Sequence, residues 1–299
     1  MRDLISTEWL VNHLSDPDVC ILDCSWHLPA AKRNAKAEFE AAHIPGAQFF
    51  DLDAISDTES KLPHMLPSAE KFGREVGKLG VGNNKRIICY DSAGMFSAPR
   101  AWWMLKAFGL VNVAVLDGGL KKWLAEDRET MSGSKVIGWV GSFWARLDPS
   151  KVVTIDDIAN TKAQIIDARS PTRFRGEEPE PRAGVKPGHI PGAKNVHYAS
   201  LLHNNGTLRH PNDLTSIFRK AKVNLDKPII TSCGSGVTAA ILTLALTELG
   251  ARDLKLYDAA GRNGVRAGGR LQRGVSPASH FSSANLRDHF QCTHLQPRL

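Results

Sequence analysis

Short runs of apolar residues alternate along the chain with longer segments of helical periodicity. Arg86-Ile-Ile-Cys-Tyr90 and Pro228-Ile-Ile-Thr-Ser232 exemplify the short runs, which are typical of buried parallel strands. Residues 97–108 and 237–249 are the clearest predicted helices, and each follows a strand and a tight loop. The second is apolar nearly all round and stops at Gly250, which predicts a buried helix capped by that glycine. The pattern predicts an α/β fold of mainly parallel sheets flanked by helices on both faces.

The chain repeats itself after about 140 residues. The pentapeptide His43-Ile-Pro-Gly-Ala recurs as His189-Ile-Pro-Gly-Ala. Three further segments recur in the same order: Cys20-Ile-Leu-Asp23 as Gln164-Ile-Ile-Asp167, Arg86-Ile-Ile-Cys-Tyr-Asp91 as Pro228-Ile-Ile-Thr-Ser-Cys233, and Val115-Leu-Asp117 as Leu256-Tyr-Asp258. A solenoid has repeats of about 20 to 50 residues, so a period this long indicates two tandem domains instead.

The connection between the domains is predicted in residues 131–150, which show neither strand nor helix periodicity and contain three glycines and a proline. Three aromatic side chains in this stretch, Trp139, Phe143 and Trp144, predict that it packs on the domains. We place the first domain at residues 1–135, the linker at 136–152, the second domain at 153–258 and a separate tail at 259–299.

Composition is that of an ordinary globular protein, with 299 residues, 42% of them apolar and 23% charged. No apolar run reaches the roughly 18 residues of a membrane span, and the N-terminus begins directly with an amphipathic pattern. We therefore expect a cytoplasmic protein without a membrane segment or a signal peptide. Five cysteines without regular spacing argue against a disulfide framework. No metal cluster or nucleotide-binding loop is visible in the sequence, so no cofactor is predicted.

The net charge of +7 comes mostly from the tail, residues 259–299. The tail holds six arginines and one aspartate but no lysine or glutamate, which leaves 32 basic and 30 acidic residues in the rest of the chain. The body of the protein is therefore nearly neutral, and we expect no nucleic-acid partner.

The loop Cys233-Gly-Ser-Gly-Val-Thr238 carries the strongest chemical signal, because it joins a strand to the buried helix at the carboxyl edge of a sheet, where ligands bind. Its glycines allow successive N–H groups to converge on an anion, and the helix N-terminus adds positive potential. Such donors favour a thiolate, which predicts that Cys233 is a nucleophile. Cysteine phosphatases need an arginine six positions after the cysteine, where this chain has Ala239. The first domain has Asp91 at the position of Cys233, so it lacks the nucleophile.

The remaining cysteines of the two domains, Cys20, Cys24 and Cys89, lie on or beside apolar strands and are predicted to be structural. The repeated histidines His43 and His189 are also predicted to be structural turn residues, because both domains contain them.

With these motifs the chain resembles the tandem-domain rhodanese family, and within it the 3-mercaptopyruvate sulfurtransferases, over residues 1–258. The resemblance rests on the paired His-Ile-Pro-Gly segments, Val115-Leu-Asp-Gly-Gly119, Phe174-Arg-Gly-Glu-Glu-Pro-Glu-Pro-Arg182 and the Cys233 loop. It implies that Cys233 takes sulfur from 3-mercaptopyruvate as a persulfide, releases pyruvate and passes the sulfur to a thiol acceptor, commonly thioredoxin, or to cyanide.

The resemblance also assigns roles to individual residues. Ser235, His64 and Asp53 match a proton relay, a role suited to a histidine held by a carboxylate. From the residues alone, His64 could equally cap a turn and Asp53 could equally cap a helix. The backbone of the loop is expected to line the substrate site at Gly234, Gly236, Val237 and Thr238.

Two arginines, Arg173 and Arg182, match those that bind the carboxylate and carbonyl of the substrate, a task that suits the planar guanidinium. Arg175 lies between them and is the weaker candidate. Related thiosulfate sulfurtransferases have arginine and lysine after the cysteine, whereas Gly234 and Ser235 are neutral, which favours mercaptopyruvate as donor. A thiosulfate:cyanide sulfurtransferase and a non-enzymatic sulfur carrier remain the alternatives.

The tail departs from the family abruptly after Asp258. Relatives continue with glycine, a small residue, tryptophan, any residue, glutamate and tryptophan, whereas this chain has Ala259-Ala-Gly-Arg-Asn-Gly-Val-Arg-Ala267. One set of codons for these nine residues, read from its third base, encodes Gly-Trp-Ser-Glu-Trp-Gly-Ala-Arg, which fits the family. We therefore predict a one-base frameshift, which would also explain the arginine-rich composition and Cys292, and a tail that packs poorly; a lineage-specific tail is the alternative.

Overall fold

The computed structural model of the chain describes residues 1–133, 141–180 and 187–258. The description thus covers most of both predicted domains. Arg182, Trp139 and the tail from Ala259 lie outside it, so the predictions made for them stay predictions.

The first domain contains five strands and six α-helices in the described residues. The strands are β1 (Leu4–Ile5), β2 (Val19–Asp23), β3 (Gln48–Phe49), β4 (Arg86–Tyr90) and β5 (Val113–Leu116). The helices are α1 (Thr7–His13), α2 (Ala35–Ala41), α3 (Leu52–Ile55), α4 (Ala69–Gly77), α5 (Ala98–Ala107) and α6 (Gly119–Ala125). All strand pairs are parallel, in the order β1-β5-β4-β2-β3.

The second domain repeats this sheet. Its strands are β6 (Val152–Val153), β7 (Gln164–Asp167), β8 (Lys194–Asn195), β9 (Ile229–Ser232) and β10 (Leu254–Tyr257). Its described helices are α7 (Ile155–Asn160), α8 (Pro171–Arg175), α9 (Pro211–Lys220) and α10 (Val237–Glu248). The parallel order β6-β10-β9-β7-β8 matches the first sheet strand for strand, which confirms the predicted duplication and α/β fold.

Each central strand buries side chains on both faces of its sheet, as the continuous apolar runs predict. In β4, Ile87 and Cys89 join one core cluster while Ile88 and Tyr90 join another on the opposite face. The first of these clusters extends without interruption into the second domain. The two domains therefore share one hydrophobic core.

Helices α5 and α10 pack against each other across the domain boundary. Both were predicted, and α10 is followed by Gly250 in the left-handed conformation, with φ of 81°. Because α10 begins just after Cys233, this packing places the nucleophile loop against the first domain. Within the described ranges, no helix is long and apolar enough to cross a membrane.

The described part of the linker packs only partly on the domains. Phe143 contacts Phe72 of α4, with ring centroids 6.3 Å apart, as predicted. The prediction was wrong for Trp144, which is 85% exposed. Periodicity could not distinguish the two residues, because the chain here follows no regular element whose faces could be assigned.

The first domain shows which packing the family pattern after Asp258 would provide in the second domain. After Asp117, the equivalent of Asp258, helix α6 places Leu120 and Trp123 three and six positions on, and both are buried against one face of the sheet. These positions match the two tryptophans of the family pattern. The corresponding face of the second sheet carries Val153, Ile165 and Ile230, which cluster with Ile158 of α7.

We expect DNA sequencing across codons 255 to 270 to show a shifted frame that encodes the two tryptophans. The chain encoded in that frame should unfold at a higher temperature than the present chain, since a buried aromatic side chain contributes about 3–5 kcal/mol. A lineage-specific tail would instead give codons without this pattern in either shifted frame.

Candidate active site

Cys233 follows the last residue of β9 and occupies the loop that leads into α10. The backbone N–H of Gly236 donates a hydrogen bond to its Sγ at 3.1 Å. Gly236 has φ of 79°, in the left-handed region that glycine adopts without strain, and this turns its N–H back toward the sulfur. Cys233 is partly exposed, unlike the other described cysteines, and its sulfur is held by a backbone donor.

The other described cysteines are buried in the shared core. Burial raises the pKa of Cys20 to about 12 and raises that of Cys24 as well. Cys89 is fully buried in β4. Their environment is that of structural thiols, in contrast to Cys233.

The equivalent loop of the first domain shows how these N–H groups hold an anion. The Asp91 carboxylate accepts hydrogen bonds from the backbone N–H groups of Phe96, Ser97 and Ala98 at 2.7–2.9 Å on one oxygen, and from Ala93 at 2.9 Å on the other. Burial raises the pKa of Asp91, and the four donors oppose that shift. The repeated loop is thus built to bind negative charge, and in the second domain a sulfur takes the place of the carboxylate.

His64 and Asp53 of the first domain form a hydrogen-bonded pair, as expected for a relay. His64 Nε2 lies 2.8 Å from Asp53 Oδ1, and Trp26 Nε1 donates to the other carboxylate oxygen at 3.0 Å. The hydrogen bond from His64 holds the pKa of Asp53 below its usual value. Asp53 is not the helix cap considered above, since Asp51 caps α3 through the N–H of Ala54.

The tautomer of the neutral His64 ring is set by its partner Asp53. An ionised carboxylate only accepts hydrogen bonds, so Nε2 carries the proton toward Asp53 and leaves Nδ1 as an acceptor in the neutral ring. Nδ1 is buried and has no hydrogen-bond partner within the described ranges. Ser235 is half-buried in the nucleophile loop, but no described hydrogen bond joins it to His64, so the serine arm of the relay is not formed here.

Arg173 reaches the nucleophile loop from α8. Its Nη2 lies 3.4 Å from the position that a Cβ would take at Gly234, next to Cys233. The same nitrogen donates to Glu180 at 2.5 Å, while its Nε has no hydrogen-bond partner in the described part of the chain. Arg175 pairs instead with Glu177, with both side chains about half exposed, so it is the surface residue of the two candidates.

Sequence reasoning missed Arg169, a second arginine at this edge, whose side chain is buried. It donates to Asp167, to Glu180 and to the carbonyl of Gly188. Burial alone would lower the pKa of Arg169, but Asp167, Glu180 and Cys233 outweigh it and raise that pKa. The repeat contained a signal for this residue, because Asp23-Cys-Ser25 of the first domain corresponds to Asp167-Ala-Arg169.

Glu180 thus accepts from two arginines, at one carboxylate oxygen each, and its side chain is 4% exposed. This glutamate is the end of the acidic run that separates Arg173 from Arg182 in sequence. Glu180 orients Arg173 rather than lying at the surface. The positive charge of its second partner, Arg169, also compensates the charge of the carboxylate.

The remaining loop residues differ in exposure. Gly234 is exposed, Val237 is buried as the first residue of α10, and Thr238 is half-buried. The two repeated histidines make the same contacts in both domains: His43 bonds the carbonyl of Phe39 and His189 that of Phe174, each stacked on the phenylalanine ring. Because the domain without the nucleophile has the same contacts, they are those of structural residues.

The chain is thus defined as a protein of two parallel α/β domains, with a cysteine in the strand–helix loop of one and an aspartate at the equivalent position of the other. Comparisons with known proteins identify this class. The rhodanese-like domain family matches residues 6–126 and 153–261, so the chain belongs to the rhodanese family.

Within that family, the chain is 42% identical over 267 residues to 3-mercaptopyruvate sulfurtransferase of Homo sapiens, covering 86% of this chain and 90% of that protein. It is 45% identical over 261 residues to the enzyme of the same name from Escherichia coli K12, covering 86% and 92%. The crystal structure of SseA, a 3-mercaptopyruvate sulfotransferase from Escherichia coli, matches with a TM-score of 0.81 and 42% identity, covering 88% of this chain and 100% of that one.

Proposed function

We propose that this chain is a 3-mercaptopyruvate sulfurtransferase that carries sulfur on Cys233. The observation that carries the proposal is the partly exposed Cys233, whose sulfur is held by the N–H of Gly236 beside the Arg173 guanidinium. Relatives that share the fold and 42–45% of the sequence have this activity in their names. The neutral residues Gly234 and Ser235 further favour mercaptopyruvate over a dianionic donor.

In the first half-reaction the Cys233 thiolate attacks the sulfur atom of 3-mercaptopyruvate. A sulfur–sulfur bond forms while the carbon–sulfur bond breaks, so the electron pair of that bond remains on carbon as the enolate of pyruvate. The proton of the donor thiol ends on this carbon and completes pyruvate. The persulfide left on Cys233 is an anion, for which the N–H groups of the loop and the N-terminus of α10 provide the counter-charge.

His64 moves the proton between donor sulfur and carbon. Its Nδ1 is the free acceptor, and the Asp53 carboxylate stabilises the imidazolium that forms when it takes the proton. Ser235 lies in the nucleophile loop and would join this relay only once substrate is bound, since no described hydrogen bond links it to His64. Arg173, together with Arg182, binds the carboxylate and carbonyl oxygens of the substrate, since a guanidinium matches that geometry.

In the second half-reaction an acceptor thiolate, or cyanide, attacks the outer sulfur of the persulfide. The sulfur leaves with the acceptor and the Cys233 thiolate returns. Thioredoxin is the acceptor we propose, and a cytoplasmic location, where thiols are kept reduced, suits both partners. The reaction as written needs no cofactor.

Donor choice tests the proposal. We expect kcat/KM for 3-mercaptopyruvate to exceed that for thiosulfate, and Gly234→Arg with Ser235→Lys to shift the ratio toward thiosulfate because the added charges favour a dianion. Gly234 has room for a side chain, as a Cβ there meets only Arg173 Nη2 at 3.4 Å. Asn160→Arg with Ser200→Lys adds the same charges at exposed positions and should leave the ratio unchanged. A wild-type preference for thiosulfate would overturn the proposed donor.

A further inference from the structure

Arg100 of α5 is fully buried at the boundary between the domains. Its guanidinium pairs with Asp258, at the end of β10 in the second domain, with Nη2 2.8 Å from Oδ1 and both side chains 0% exposed. It also lies over the ring of Trp103, 4.6 Å from the centroid. A buried charge is retained only where it is paired, so this arrangement is specific to the docked domains.

The same guanidinium holds the segment that carries His64. Arg100 Nη2 donates to the backbone carbonyl of His64, and Asp258 Oδ2 accepts from the N–H of Leu66 at 2.9 Å. His64 has φ of 60°, in the left-handed region that residues other than glycine seldom adopt. A strained residue persists only where its surroundings fix it, and here the fixing groups are Arg100 and Asp258.

On its other side Arg100 touches the nucleophile loop. A Cβ at Gly236 would lie 2.4 Å from Arg100 Nη1, so the guanidinium packs directly on the residue whose N–H donates to Cys233. Neither Nε nor Nη1 of Arg100 has a hydrogen-bond partner among the described residues. The flat Arg100 guanidinium therefore lies between the segment that carries His64 and the loop that carries Cys233.

We propose that Arg100 is a positioning residue for sulfur transfer: it sets the His64 ring, contributed by one domain, at its working position relative to Cys233, contributed by the other. The proposal rests on the proposed function, because it assumes that His64 moves the proton. Misplacing a catalytic group by about 1 Å can cost about 100-fold in rate. Arg100 acts through His64 and touches neither substrate nor sulfur.

The test is a double-mutant cycle on single-turnover persulfide formation from 3-mercaptopyruvate. Arg100→Lys keeps the charge but loses the planar fork. We expect it to lower the rate at saturating substrate about 10- to 100-fold with His64 present and less than about 3-fold in the His64→Ala background, with little change in the half-saturating concentration. Asp117→Ala removes a different interdomain hydrogen bond, to the N–H of Leu208, and should change the rate less than about 2-fold.

Equal losses with and without His64, or a loss with Asp117→Ala as large as that with Arg100→Lys, would overturn the proposal and leave Arg100 as a docking residue. If Arg100→Lys does not fold, Asp258→Asn replaces it in the same double-mutant cycle, because asparagine keeps the shape of the aspartate that pairs with Arg100. The same criteria then apply. Failure of the proposed function is distinguishable, because the wild-type chain would then form no persulfide at all.

Discussion

Cys233→Ser is expected to abolish sulfur transfer to every acceptor while leaving the fold intact. The serine oxygen can occupy the same position, and the only described side-chain hydrogen bond at Sγ is the one from Gly236 N–H. Without the thiolate no persulfide forms, so activity should fall to background and not merely decrease. Sulfur transfer measured with 3-mercaptopyruvate and either cyanide or thioredoxin, together with circular dichroism, tests this.

Selective labelling of the wild-type chain tests the reactivity of Cys233 independently of that variant. A limiting amount of iodoacetamide at pH 7 should alkylate Cys233 well before Cys20, Cys24 and Cys89, which are at most 8% exposed, with the Cys20 pKa raised to about 12. Peptide mass spectrometry identifies the labelled residue. Equal labelling of Cys89 and Cys233 would show that the loop does not make Cys233 a reactive thiolate.

Arg173→Ala should produce the next largest loss. It removes the guanidinium beside Gly234, and a charge-assisted hydrogen bond to a carboxylate contributes about 1.5–3 kcal/mol, or about 10- to 150-fold in kcat/KM for 3-mercaptopyruvate. The fold should survive, because Glu180 keeps its hydrogen bond to Arg169. Steady-state kinetics of pyruvate release measures the effect.

Arg175→Ala is the matched control, two residues further along the same helix. Its exposed pair with Glu177 contributes about 0–1 kcal/mol, and we expect kcat/KM to stay within about 2-fold of the wild type. Equal losses for Arg173→Ala and Arg175→Ala would indicate that the helix, not the guanidinium beside Cys233, matters. Indifference to substitution of both Arg173 and Arg182 would favour a sulfur carrier over an enzyme.

Local patterns predicted the elements of this protein well. The apolar run before Cys233 became β9, the apolar segment after it became α10, and the repeat correctly paired the two sheets. These features are readable because they depend on neighbours in sequence: strand periodicity, helix length and a glycine that ends a helix. The hydrogen bond from Gly236 N–H to Cys233 depends on the same local rules, since the position between strand and helix places a glycine N–H beside the sulfur.

Residues that act through distant partners were not predictable in this way. Arg100 and Asp258 are 158 positions apart, and nothing in either local sequence indicates that they pair. Glu180 belongs to an acidic run, which local sequence gives no reason to bury, and it lies buried between two arginines. The resemblance to a family, not local reasoning, identified His64 and Asp53, because only the packing of the domains brings the His64 segment to the loop of Cys233.

The central claim is that sulfur resides on Cys233 between the two half-reactions. Mass spectrometry after a single turnover of 3-mercaptopyruvate, without an acceptor, tests it directly. We expect the peptide containing Cys233 to gain the mass of one sulfur atom, one pyruvate to be released per chain, and the added sulfur to disappear when thioredoxin or cyanide is supplied. Pyruvate release without added sulfur on Cys233, or sulfur on another cysteine, would contradict the account.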